Sequence, residues 1–311
     1  MDDSLKHRAD LTKIQFKALR TQLNKTNVVS ELQERKKLNR LNKNQDLSDE
    51  TLKKWLRNAW NTERILRTNR SILEEDENFF ALQWSFPQAY YSIFCSAQGF
   101  FHAAGRTANS HGSTMRDISK LIEQSYYPKS ISLLATGGKQ EIEFKGLKFT
   151  PGYSSKYFNE AELFSVENQI AQLLRSTREY LLDDQKDALG TNINDHLVLK
   201  NSKGVLSGRL NSTQRDYVSQ KLGSTNILHF LYRKRIKSNY REIDTFQFSE
   251  LKALEIHDDI IEVTSYFNFV HEAFIYKALG KNKLKEVINS IDPDQKIDWL
   301  NKRFVHLSKN L

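Results

Sequence analysis

The chain has 311 residues, 39% of them hydrophobic, with 18 Phe and 12 Tyr available for a core and a formal net charge of +9. That length allows one large domain or two modest ones, and only 12 Gly and 4 Pro interrupt it, a scarcity that long helices require because both residues break them. No window approaches the roughly 20 apolar residues that span a bilayer, and Met1-Asp2-Asp3-Ser4 lacks the apolar core of a signal peptide. Cys95, the single cysteine, rules out an internal disulfide and a thiolate metal cage. The expectation is a mainly helical, all-α chain in the cytoplasm, with no membrane partner and Cys95 buried as a structural thiol.

Residues 1–46 read as a basic helical arm. Leu11, Ile14, Ala18 and Leu19 recur at helical spacing, as Leu32, Leu38 and Leu41 do less regularly; the stripe is narrow, so the arm is expected to pack on the body or on a partner. Residues 1–45 hold eleven Lys/Arg against five Asp/Glu, and Arg233 to Arg241 holds five more with no acid. Such an excess favours polyanionic partners and fits a solvated charged surface equally well.

Residues 47–124 and 225–280 are expected to form a helical bundle. Ser48 caps a helix near 49–68 that places Leu52, Leu56, Ala59, Trp60, Ile65 and Leu66 largely on one face. After a polar break at 74–78, a helix from about Phe86-Pro87 to Ala104 is apolar almost all round and should be central, with Pro87 in its first turn and Gly105 as its stop. A short helix follows from Ser113 or Thr114. Residues 125–224 read as an insertion. Ile131–Leu134 and Glu141–Phe144 flank Gly137-Gly138 as a hairpin, a helix at about 166–188 ends at Gly190, and Asn211 starts another through Leu222. The bundle resumes with a helix from Ser224 to about Ile236 and a long one at about 249–279. A C-terminal extension, 281–311, carries a final helix opened by Asp292-Pro293.

Three segments in this order carry a family signature. The first is the helix of Leu56, Ala59 and Leu66. The second is Ala89-Tyr90-Tyr91-Ser92-Ile93-Phe94-Cys95-Ser96-Ala97-Gln98, with Phe100, Phe101, Gly105 and Ser110-His111-Gly112; it resembles the YYAxFxAAxxLL…G…HxG signature of HEPN proteins that partner nucleotidyltransferases. The third, Leu231 to Tyr240 followed by the 249–279 helix, is similar to the LxxxRxxADY element of that group. The match covers about 130 residues, split by the insertion. It implies a HEPN-like bundle that binds RNA or a nucleotide, acts as a homodimer or in a complex with a nucleotidyltransferase or other defence-system protein, and belongs to a toxin–antitoxin or anti-phage system. It calls for no metal and no cofactor.

Metal-free RNA cleavage needs an acceptor for the 2′-OH proton, a donor for the leaving oxygen and a cation for the phosphorane, tasks for His and Arg. HEPN ribonucleases use an Arg and a His four to six residues apart ahead of the final helix. Arg106 and His111 have that spacing but sit between the second and third helices. At the expected place Arg233 or Arg235 supplies the arginine and Tyr240 the tyrosine, while Ser238 or Asn239 stands where histidine belongs. The departure implies a binder without ribonuclease activity, with Arg233, Arg235, Asn239 and Tyr240 contacting phosphate or base. An active endoribonuclease using Arg106 and His111 is one rival, and a helical scaffold is another. Tyr90 and Tyr91 cannot share a helix face, so one belongs to the core and the other, Tyr91, can stack on a base. His229, His257 and His271 have no carboxylate at metal spacing, His257-Asp258-Asp259 diverges around its helix, and Gly137-Gly138-Lys139 is a turn without the strand-to-helix setting of a phosphate loop.

Overall fold

The computed structural model describes residues 3–72, 75–192, 196–205, 207–240, 253–294 and 296–311, and within these it leaves the side chains of 3–5, 75–80, 196–197 and 239–240 undescribed. The fold is mainly helical, with one two-stranded sheet among the described residues. Helix α1 (Asp3–Asn24) and the short α2 (Val28–Gln33) lead into α3 (Asp49–Ile72) and α4 (Glu75–Ala103), which pack against each other as a hairpin. Helix α5 (His111–Glu123) follows, then β1 (Leu134–Thr136) and β2 (Glu143–Lys145), α6 (Leu163–Thr191), the single-turn α7 (His196–Leu199) and α8 (Ser212–Leu222). The chain closes with α9 (Ile227–Tyr240), α10 (Ala253–Leu279), α11 (Lys281–Ile291) and α12 (Asp298–Asn310).

Helix α4 is central, as its all-round apolar composition predicts: α3, α10 and α9 are its main neighbours, and Ala89, Tyr90, Ile93, Ala97, Phe100 and Phe101 are buried on it. It begins at Glu75, however, and Pro87 lies inside it. An interior proline costs roughly 3 kcal/mol. Leu82 and Phe86, buried in the residues just ahead of it, supply packing that outweighs the loss, and the acids at 75–77 suit a helix N-terminus. Gly105 ends the helix at φ +65°, as expected.

The arm belongs to the body. Ala9, Thr12, Phe16, Leu19 and Leu23 form its buried stripe, and Phe16 lies 5.5 Å from both Phe86 of α4 and Phe230 of α9. Leu11 and Ile14, part of the stripe read from the sequence, are only half-buried at its margin. In α3, Ile65 is likewise exposed, and Glu63 takes a core position. Helix α5 starts at His111 with Ser110 as its cap, and α6 passes through Gly190 to Thr191. The strands of the hairpin are shorter than predicted and pair Ala135 with Phe144. Leu251, assigned to the long helix, lies outside the described residues.

Two apolar cores result. The larger unites α1, α3, α4, α5, α9 and α10 with Leu133–Ala135 and the first half of α6. The second gathers Leu181, Leu182 and Leu189 of α6 with Leu199, Val218 and Leu222. Arg178, 1% exposed, lies between them. Its guanidinium donates to the carbonyls of Gly137 (2.7 Å), Ala135 (3.1 Å) and Gly223 (2.8 Å) and to the hydroxyls of Thr225 and Ser219. Nη1 faces three of these acceptors, and Nε and Nη2 one each, so one side chain ties the hairpin, α6 and α8 together. Burial pushes its pKa down to about 10. No helix among the described residues is long and apolar enough to cross a membrane.

Candidate functional site

Adjacent residues on α4 diverge by about 100°, and the pair Tyr90-Tyr91 divides accordingly. Tyr90 is fully buried, whereas Tyr91 is 36% exposed. The Tyr90 hydroxyl lies 2.8 Å from Nδ1 of His111, which is the first residue of α5. The His111 ring rests against Phe94, with centroids 4.4 Å apart, and faces Tyr232 of α9 at 5.7 Å. Tyr90 and Tyr232 approach to 5.3 Å. Helices α4, α5 and α9 thus build one aromatic cluster with an imidazole in it.

Arg235 completes the cluster. It sits one turn beyond Tyr232 on α9, and its guanidinium lies 4.8 Å from the ring centre of Tyr91, 5.4 Å from Tyr232 and 5.7 Å from Tyr90. Its Nε is buried without a hydrogen-bond partner, and no carboxylate pairs with it among the described residues. Three rings hold a cation that no acid among the described residues neutralises. Burial, and then the charge of Arg235, holds His111 below the ordinary histidine range, so its imidazole is neutral near pH 7. Its bond with Tyr90 occupies Nδ1, and Nε2 has no hydrogen-bond partner among the described residues. Burial drives the Tyr90 hydroxyl well above the usual phenol range, so it stays protonated.

The other site residues read from the sequence are placed apart from this cluster or beyond description. Arg233 projects towards α6, 5.2 Å from the Tyr180 ring, and donates to Ser176 Oγ at 3.1 Å; two positions along a helix correspond to a turn of about 200°, which separates it from Arg235. Lys234 reaches α1, donating to Thr12. Arg106 is exposed in the loop after α4, and its charge acts on Tyr127, whereas the arginine acting on His111 is Arg235. Ser238 is buried and bonded to the Arg235 carbonyl. The side chains of Asn239 and Tyr240 lie outside the described residues. Phe94 and Tyr232 were not singled out from the sequence; Tyr232 could have been, since i,i+3 spacing sets it beside Arg235.

The remaining buried histidines lie apart from this cluster and bond to neutral groups. His271 bonds to Ser96 and Tyr127 at 2.7 and 2.9 Å, His257 to the Leu66 carbonyl at 3.0 Å, and His229 to Asn226. Burial pushes them down to about 3, 4 and 3 respectively. Cys95 is buried, and its thiol is pushed up to about 11 by burial. Among the described residues no three His, Cys, Asp or Glu side chains are grouped as metal ligands.

Buried charge is concentrated elsewhere, where α12 docks. Arg303 meets Glu63 of α3 at 3.0 Å and Glu272 of α10 at 2.9 Å; Arg67 and Asn268 also bind Glu63, and Trp60 Nε1 donates to Glu272. Burial pushes Glu63 up, but Arg303, Arg67 and Asn268 outweigh it and hold the carboxyl low. Burial and the neighbouring Glu63 push Glu272 up to about 7, against the pull of Arg303. No family model matches this chain, and neither the curated proteins nor the solved structures provide a match.

Proposed function

We propose that the chain is a HEPN-like RNA- or nucleotide-binding protein without ribonuclease activity, working in a prokaryotic toxin–antitoxin or anti-phage assembly, as a homodimer or with a nucleotidyltransferase or another defence-system partner. The observation that carries the reading is Arg235, a cation with no acid partner among the described residues, set beside the exposed ring of Tyr91. A guanidinium and an open aromatic face are the two elements that recognise phosphate and base in single-stranded nucleic acid. The three segments resembling HEPN proteins support the reading, because two of them supply these residues.

The test is binding of a labelled single-stranded RNA by the full chain over a range of salt. The expected affinity falls linearly on a log–log plot as salt rises, and Arg235→Ala and Tyr91→Ala each weaken it by about 1–3 kcal/mol, the scale of one stacked base. Affinity indifferent to salt, or unchanged in both variants, overturns the proposal. A scaffold would bind no RNA at all.

A second reading, a metal-independent endoribonuclease, rests on one observation: the neutral His111 imidazole and Arg235 share the cluster. A neutral imidazole is a competent general base. RNA cleavage in EDTA that His111→Ala abolishes would favour this reading, and RNA bound but left intact favours the first.

A further inference from the structure

A cavity of about 240 Å³ lies between the β1–β2 turn, the second half of α6 and the start of α8. Its floor is Leu182, Leu210 and Val218, which belong to the second apolar core or pack against it. Its rim carries Lys139, Lys186, Arg209 and Arg215 against one carboxylate, Asp183. Asp183 is matched by Lys139 at 2.6 Å. Lys186 and Arg215 are held instead by backbone carbonyls, those of Gly208 at 3.1 Å and Leu210 at 2.9 Å, so their positions are fixed while no carboxylate among the described residues pairs with them. Arg209 is exposed, and its guanidinium has no partner among the described residues.

The frame around this cavity is rigid for identifiable reasons. Arg178 fastens the Gly137 carbonyl from beneath and reaches Ser219 of α8. Gly137 has φ +82°, and a side chain there would collide with the Glu141 carbonyl oxygen, whereas Gly138 faces open space. The turn that presents Gly138 and Lys139 is therefore shaped by glycine and clamped by a buried arginine.

We infer that this cavity is a binding site for a small phosphate ester of nucleotide size. An apolar floor suits the flat body of a base. The volume admits one small organic moiety and excludes a polymer backbone from the interior. Two arginines and two lysines exceed what a single carboxylate would use, and they match a doubly charged phosphate, which arginine binds with two prongs and lysine as a point charge. The site shares no residue with the Arg235 cluster and stands independently of the function proposed for it.

The experiment is isothermal titration of the full chain with AMP, GMP, CMP and UMP, with adenosine and inorganic phosphate as separate arms. At least one mononucleotide is expected to bind at 1:1 stoichiometry, with nucleoside and phosphate each roughly tenfold weaker or more, because floor and rim each contribute part of the affinity. Arg209→Ala and Lys186→Gln should each weaken binding by roughly tenfold, the scale of one charge-assisted contact; Arg209 is exposed, so thermal unfolding of that variant should match the parent. Failure of all four mononucleotides, phosphate binding as tightly as the nucleotides, or binding lost with Arg235→Ala and kept in both rim variants each overturns the inference. RNA binding weakened by Arg209→Ala with no mononucleotide bound would also overturn it, making the rim part of a nucleic-acid track.

Discussion

The Tyr90 hydroxyl and Nδ1 of His111 stand 2.8 Å apart, so the first residue of α5 is fastened to the buried face of the central helix. The Arg235 guanidinium lies over the same Tyr90 ring at 5.7 Å. A neutral imidazole and a cation with no acid partner among the described residues are thereby brought together by packing, and the cation helps hold the imidazole's pKa down.

Arg235→Met tests that coupling directly. Methionine keeps apolar bulk against the rings and removes the charge. Burial, the larger cause of the depressed His111 pKa, persists, while the repulsion from Arg235 disappears. The His111 pKa, followed by NMR titration of its ring protons, should rise towards 6.5 without reaching it. A value that stays put or falls would separate the two residues.

The pH dependence of stability follows from the buried histidines. His229, His257 and His271 titrate near 3, 4 and 3 in the folded chain and near 6.5 when unfolded. Their contribution is complete above about pH 6.5 and is lost as pH falls, because only the unfolded chain then takes up their protons. Glu272 and Asp259, pushed by burial up to about 7 and about 6, act oppositely and favour the fold as pH drops through those values. Three histidines against two carboxyls leave a net loss, and Glu63, held low, extends it below about pH 4.5. Urea unfolding midpoints should fall between pH 6.5 and 4.5, by about 1.4 kcal/mol per pH unit for each net proton. A flat or rising midpoint would contradict these assignments.

Arg303→Met should destabilise the chain by about 3–5 kcal/mol, because it removes the cation beside the buried Glu272 and leaves Glu63 with Arg67 as its remaining cation. Adding Glu272→Gln should recover part of the loss. The amide still accepts from Trp60, as the carboxylate does at 2.9 Å, and it carries no charge to be stranded. Denaturant midpoints of the single and double variants measure both effects, and a double variant no more stable than Arg303→Met would remove Glu272 from the network.

Much of the helical framework was legible because it rests on local periodicity. The central position of α4 follows from Ala89 to Phe101 being apolar on every side, and the division of Tyr90 from Tyr91 follows from helical geometry alone. His111 and Arg235 were each readable as candidates, yet their meeting was not, since it depends on how α4, α5 and α9 pack. Arg233 and Arg235 looked like one cluster in a linear reading, and the helix turns them apart. Pro87 misled because a local rule was overridden by the burial of Leu82 and Phe86. Glu63 and Arg178 resemble solvated charges in sequence; the available signal was their place on apolar stripes, Glu63 one turn from Ala59 and Trp60, Arg178 one turn from Leu174 and Leu182.

Arg178 offers the most localised prediction. Its five bonds span the hairpin turn, the end of α8 and the segment leading into α9. Arg178→Met deletes all five and strands at least the Gly137 and Gly223 carbonyls. Arg178→Lys keeps the charge, but three donors on one nitrogen cannot span acceptors placed for a fork. Both variants should lose hydrogen-exchange protection across residues 134–145 and 212–225, at a cost of about 1–3 kcal/mol for each buried carbonyl left unsatisfied. The α3–α4 hairpin belongs to the other core and should keep its protection. Loss spread evenly over both cores would mean that Arg178 supports the whole fold, and unchanged exchange at Thr225, whose amide bonds to the Ala135 carbonyl at 2.9 Å, would mean that the clasp is dispensable.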